Sequence, residues 1–270
     1  MSTKIVRSVE WAYPVPPVSR EVREATPGID EGKPPILFVP GFGHGAWAFA
    51  ENWLEHAAAR GFPAYALSLR GHGASGSAPK TTLRAYVHDV TQVAASLPRR
   101  AVLIGHGAGA RVVAGALARY PAKAGVLVTP VLGGWQMAAA VAARNPAATV
   151  PALFGGRLRP GRSALFGREL PTATARGYAS RLGRAAALAQ WQLLFAGAPE
   201  PGVGRPPVLV LGSPNDRLVP RSALNRAARW YGGAPLMFPG MGHDLMLDAR
   251  WAEPLDAILD WLDKGAIQEF

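Results

Sequence analysis

The chain has 270 residues, a hydrophobic content of 49%, no cysteine and a formal charge of +11 at neutral pH. The missing cysteines exclude a disulfide, a thiolate nucleophile and a cysteine-ligated metal, and no window approaches eighteen uninterrupted apolar residues, so no membrane span is expected. The positive charge is mostly arginine spread along the chain, without a basic run or a nucleic-acid motif, so no nucleic-acid partner is expected.

The N-terminal residues show no apolar leader segment, which makes the cytoplasm the expected compartment. Residues 1–34 read as an irregular, proline-rich lead-in with a strand near 5–11. A buried strand is expected over 35–39, running into the glycine-rich loop Pro40-Gly41-Phe42-Gly43-His44-Gly45 and a helix over about 49–60. The next strand, 64–69, ends in Arg70-Gly71-His72-Gly73-Ala74-Ser75, and a helix follows over about 83–97. Residues 101–104 form another short apolar strand, then a glycine-rich turn and a helix to about 120, then a strand over 125–129. The alternation stops between 131 and 207, where helical patches at 135–143, 172–182 and 185–195 lie between Gly/Pro-rich loops. It resumes with strands at 208–211 and 235–238 and helices near 222–231 and 254–263. Strands alternating with helices at this spacing predict a doubly wound, mostly parallel α/β sheet. The expected organisation is a core from 1–130 and 205–270 with a helical cap inserted at 131–204.

The turn after the strand at 101–104 carries the chemical question. Gly105-x-Gly107-x-x-Ala110 satisfies the dinucleotide fingerprint, but no acidic residue follows the next strand, which ends in Thr129-Pro130, and at least two strand–helix units precede it. A nucleotide-dependent oxidoreductase is therefore the minority reading. Gly105-His106-Gly107-Ala108-Gly109 also has the frame of the nucleophile elbow G-x-S-x-G, with glycine where the serine belongs.

Four segments in order carry a resemblance: the Pro40–Gly43 loop, the R-G-H-G-x-S turn at 70–75, Gly212-Ser213-Pro214-Asn215-Asp216-Arg217-Leu218-Val219-Pro220, and Gly242-His243. Together they resemble the α/β-hydrolase superfamily from about residue 35 to the C-terminus, the cap excepted. The resemblance implies a carbonyl-directed site: His243 as base, Asp216 as the acid that orients it, Gly107 at the nucleophile position, and the Phe42 and Ala108 N–H groups as oxyanion donors. Gly41, His106, Trp47, Trp135 and Trp191 are the expected substrate-lining residues, with no cofactor and no metal. Glycine has no side chain to acylate, so three readings stay open. One is an enzyme in which His243 activates water or removes a substrate proton: hydrolysis, elimination or cyclisation of a small apolar ester, thioester, lactone or polyketide-like compound, as in secondary metabolism. The others are a serine hydrolase that has lost its nucleophile and a non-catalytic ligand binder.

The remaining polar residues are expected to be structural. His44 and His72 fix loops, His56 and His88 are ordinary helix residues, and Ser68, Ser75, Ser77 and Ser213 belong to turns. Asp244 and Asp248 lie too close to His243 in sequence to be its first-choice acid, and no His/Asp/Glu grouping has metal-ligand spacing. Between 131 and 204 arginine dominates the charges, which suggests an anionic or carrier-bound substrate; a solvated arginine-rich surface is the simpler account.

Overall fold

A computed structural model describes residues 14–78, 80–134 and 160–266, together with 139, 142, 143 and 146. The strand expected near 5–11 and most of the helical patch at 135–143 lie outside these residues.

Seven strands form one sheet in the order β1-β3-β2-β4-β5-β6-β7. They are β1 (Val22–Ala25), β2 (Ile36–Val39), β3 (Ala64–Leu67), β4 (Val102–His106), β5 (Ala124–Val128), β6 (Val208–Gly212) and β7 (Leu236–Met237). All neighbours are parallel except β1, which runs antiparallel along β3. The expected doubly wound sheet is what forms.

The short apolar runs become central strands because both of their faces are covered. Side chains alternate across the sheet. Ile36, Phe38, Val102, Ile104, Val126 and Val128 point to one side, where Trp47, Phe49, Trp53, Leu255 and Ile258 meet them. Leu37, Val39, Leu103 and Leu127 point to the other, against Tyr86, Val90, Val112, Val113 and Leu224. The first side is covered by α1 (Trp47–Ala50), α2 (Trp53–Ala59) and α9 (Ala252–Trp261). The second is covered by α3 (Leu83–Ser96), α4 (Ala108–Leu117) and α8 (Arg221–Trp230).

Two local expectations change. The single helix expected over 49–60 is two, because Asn52 leaves helical geometry at φ −141° and its side-chain amide donates to Met246 O at 3.1 Å. The lead-in contains β1, a mostly exposed edge strand whose Val-Arg-Glu-Ala sequence has no apolar pattern to announce it.

Between β5 and β6 the described residues hold α5 (Arg162–Leu165), α6 (Thr172–Ser180) and α7 (Ala187–Leu194) and no strand of the sheet. This segment bonds to loops that follow the carboxyl ends of strands. Gly183 N–H donates to Gly43 O at 2.7 Å, Asp244 N–H to Leu165 O at 2.8 Å, and Arg181 pairs with Glu51 at 2.9 Å. No helix among the described residues is long and apolar enough to cross a membrane.

Candidate active site

The chain leaves β4 at His106, turns at Gly107 and enters α4 at Ala108. Gly107 sits at φ 53°, ψ −122°, a conformation strained for any residue with a side chain and open to glycine. The turn is held by Gly107 N–H to Val128 O at 3.0 Å and Val131 N–H to Gly107 O at 2.9 Å. Two residues on, a β-carbon on Gly109 would fall 2.3 Å from Pro40 O, so only glycine lets α4 start this close to the end of β2. The elbow and the Pro40–Gly43 loop are thereby pressed together.

His243 reaches the elbow from the loop after β7. Its Nδ1 donates to Asp216 Oδ2 at 2.8 Å, and both side chains are buried. Asp216 is fixed in turn, because its Oδ1 accepts Leu218 N–H at 2.7 Å and Val219 N–H at 3.0 Å. A carboxylate only accepts, so Nδ1 carries the proton and Nε2 presents a lone pair. That Nε2 lies 3.1 Å from the point where a β-carbon on Gly107 would be; Gly41 Cα is 3.8 Å from the same point. Burial pushes the His243 imidazole down, but the Asp216 carboxylate, as charge and acceptor, and Asp244 outweigh it and hold its pKa above the ordinary histidine value.

The N–H groups of Phe42 and Ala108 make no hydrogen bond among the described residues. Ala108 opens the ten-residue helix α4, whose aligned peptide dipoles add positive potential at its N-terminus. The elbow region therefore offers a lone pair on Nε2, two unengaged backbone donors and no nucleophilic side chain at 107.

The other expected lining residues divide. Gly41 and His106 join the site: a β-carbon on Gly41 would lie 3.0 Å from His106 Nδ1, and the His106 ring centroid is 4.8 Å from that of His243. Burial pushes His106 down to about 4, against the pull of Asp244. Trp47 is buried beside His44 and under the Arg181 guanidinium, 4.0 Å from its ring, so it sits where the inserted segment meets the glycine-rich loop. Trp191 does not join them; it is 40% exposed on α7 and stacks on Phe195. Trp135 lies outside the described residues.

Several residues acquire roles that no motif announced. Thr129, at φ 42°, donates its hydroxyl to His243 O at 3.0 Å and so fixes the backbone of the base. Asp244 turns away from His243 and engages His44, whose Nε2 is 3.0 Å from Asp244 Oδ2. His106 Nε2 is 3.3 Å from Asp244 Oδ1. Burial opposes ionisation of Asp244, but the two imidazoles hold its carboxyl well below the usual range. Donor atoms of His44, His106 and Asp244 all lie within 4.8 Å of one another, the arrangement a metal ion needs. Spacing along the chain could not reveal this group, because the three residues come from two separate loops and the end of β4. Asp248 accepts the N–H groups of Gly167, Gly242 and Ala249, which makes it a loop anchor. Ser68 accepts Ala46 N–H and donates to Glu21, and Ser213 donates to Met241 O, both turn roles as expected.

Solved structures with this architecture are numerous. A monoacylglycerol lipase from Paleococcus ferrophilus superposes with a TM-score of 0.68 at 19% identity, over 92% of this chain and 99% of that one. An esterase from Exiguobacterium antarcticum gives 0.69 at 15% identity, over 90% and 95%. A proline iminopeptidase-related protein from Thermus thermophilus gives 0.68 at 22% identity, over 94% and 96%. At these identities the likeness is one of fold. No curated protein sequence matches the chain significantly. A family model described as the alpha/beta hydrolase family matches residues 36–260, spanning the elbow, the glycine-rich loop and the Asp216 and His243 segments. The chain belongs to the alpha/beta hydrolase family.

Proposed function

We propose that the protein is an enzyme that acts on a small, largely apolar carbonyl compound by general-base catalysis, without a covalent acyl-enzyme. The observation that carries this reading is His243: Nδ1 is tied to Asp216 at 2.8 Å, and Nε2 is aimed at the elbow, 3.1 Å from the β-carbon position of Gly107. In hydrolysis, Nε2 takes a proton from water as the water oxygen attacks the carbonyl carbon. The oxyanion is held by the Phe42 and Ala108 N–H groups, and the proton is returned to the leaving oxygen as the bond to carbon breaks. The same base can remove a substrate proton for elimination or intramolecular cyclisation. The segment between β5 and β6 acts as a cap over this site.

Restoring the missing hydroxyl tests the reading. Gly107→Ser should react with a fluorophosphonate probe and hydrolyse short p-nitrophenyl esters, while the parent does neither at a comparable rate. The close approach of Nε2 requires His243 to yield by a few tenths of an ångström, which a side chain on a loop can do. If the folded variant stays inert towards both reagents, base and oxyanion donors are not in working register, and ligand binding without catalysis becomes the better account.

A further inference from the structure

The His243–Asp216 pair leaves three buried side chains beside it without a task. His44 stands in the glycine-rich loop after β2, His106 ends β4, and Asp244 follows the base in the loop after β7. We propose that His44, His106 and Asp244 bind a divalent cation of the Zn2+ class, and that the ion pins these three segments to one another.

The distances fit. His44 Nε2 lies 3.0 Å from Asp244 Oδ2 and His106 Nε2 lies 3.3 Å from Asp244 Oδ1. Ligands held about 2.0–2.2 Å from a tetrahedral ion stand about 3.4 Å apart, so both contacts to Asp244 are near ligand–ligand spacing, and all three donors lie within 4.8 Å of one another.

Hydrogen bonding inside the protein does not use up the cluster. Among the described residues only the His44 contact is a well-formed hydrogen bond to the carboxylate, and Asp244 Oδ1 has no hydrogen-bond partner although it is buried. His106 Nε2 has a long contact to His243 O, 3.4 Å, as its alternative to the carboxylate. A buried carboxylate oxygen that lacks a hydrogen bond is a place where a cation is stabilised. His44 Nδ1 and His106 Nδ1 also have no hydrogen-bond partner among the described residues. Nothing therefore obliges Nδ1 of either ring to act as the acceptor. With a cation bound, each ring would carry its proton on Nδ1 and turn a lone pair on Nε2 towards the ion, which would replace the His44 Nε2–H bond to Asp244.

The donor chemistry selects the ion. Two imidazole nitrogens and one carboxylate suit Zn2+, Co2+ or Ni2+, whereas Ca2+ and Mg2+ prefer all-oxygen sites. Three protein ligands leave a fourth position for water. The location gives the ion a task. The Gly41–Gly45 loop, the elbow and the His243 loop are the three segments that compose the candidate site, and one ligand comes from each. The His106 ring also lies 4.8 Å from that of His243, so a cross-link here sets the position of the base.

The test reads bound metal rather than turnover, so it stands or falls separately from the role proposed for His243. The full-length protein is stripped with a chelator, equilibrated with ZnCl2 or CoCl2, and assayed by elemental analysis, calorimetric titration and visible absorption. One equivalent of metal, intense four-coordinate Co2+ bands and a raised melting temperature with Zn2+ are expected. His44→Gln, His106→Gln and Asp244→Asn should each weaken binding by at least ~10-fold, the loss seen even for outer-shell ligand changes, and abolish the Zn2+-dependent rise in melting temperature. Circular dichroism identifies any variant that does not fold, and such a variant is left out of the comparison. Failure of the folded parent to take up a stoichiometric ion overturns the proposal, and so does binding of equal strength in the folded variants. The parent measurement decides even if no variant folds.

Discussion

Gly107 and Asp216 define the site at the scale of single residues, one by what it lacks and the other by what it holds. At φ 53° a serine stores backbone strain that glycine escapes, so the elbow keeps its shape without a nucleophile to justify it. Asp216 is separable from its structural duties. Its Oδ1 serves Leu218 and Val219 N–H, and only Oδ2 faces His243. In Asp216→Asn the amide oxygen can keep the two backbone bonds while the NH2 group replaces the acceptor of Nδ1–H. The imidazole then loses the tautomer that points a lone pair at the elbow. Made in the Gly107→Ser background, Asp216→Asn should slow fluorophosphonate labelling by about 10³–10⁴-fold, the scale of the equivalent change in a serine protease triad. The melting temperature should move little. A large loss of stability with labelling intact would assign Asp216 a purely structural role. Asp216 and His243 were legible in the sequence because each sits in a segment with its own pattern. Thr129, His44 and Asp244 were not, because their contacts close only when β5, the glycine-rich loop and the loop after β7 meet in space.

The elements were legible to the degree that burial shows in composition. β2, β4 and β5 are buried on both faces, so each is written as an uninterrupted apolar run and was located within a residue or two. β1 escaped because a mostly exposed edge strand with two adjacent charges has no such signature, and the α1–α2 break escaped because it depends on a tertiary bond from Asn52 to Met246 O. The layer between β2 and its covering helices should be the least forgiving part of the fold. Phe38 is fully buried, stacks on Phe49 at 4.9 Å and meets Trp53 at 5.8 Å. Three aromatic rings locked together cannot collapse into the space that one of them leaves. Phe38→Ala should therefore cost about 3–5 kcal/mol, within the range for large core truncations, read as a lower urea midpoint at unchanged slope. A cost below about 1 kcal/mol would mean that the layer relaxes freely and is not a packed core.

Across the whole molecule, the loops of the candidate site are also supports of the fold, which couples acid stability to the site. His72 lies in the turn after β3, with its ring 6.1 Å from that of Phe42 in the glycine-rich loop and 5.8 Å from that of Tyr86 on α3. Burial is the main reason that its pKa is pushed down to about 4. The backbone carbonyl oxygens of Arg70 and Leu69 pull it upward too weakly to compensate, and the nearby His44 adds to the downward push. Arg70 itself is fully engaged with Asp89 at 2.6 Å, so its charge is already neutralised behind the turn. The sign follows from linkage. The unfolded chain takes up this proton near its ordinary value of 6.5, whereas the folded chain resists until about 4. Between those limits the unfolded state binds more protons, so the contribution is fully present above pH 6.5 and disappears as pH falls towards 4. A shift of this size corresponds to about 3 kcal/mol. Denaturation at fixed pH steps should show the parent losing about that much more stability over this window than His72→Gln, which has nothing to titrate there. Parallel curves for the two proteins would place the acid sensitivity elsewhere, in the buried His106 or in the general repulsion of a chain with a formal charge of +11.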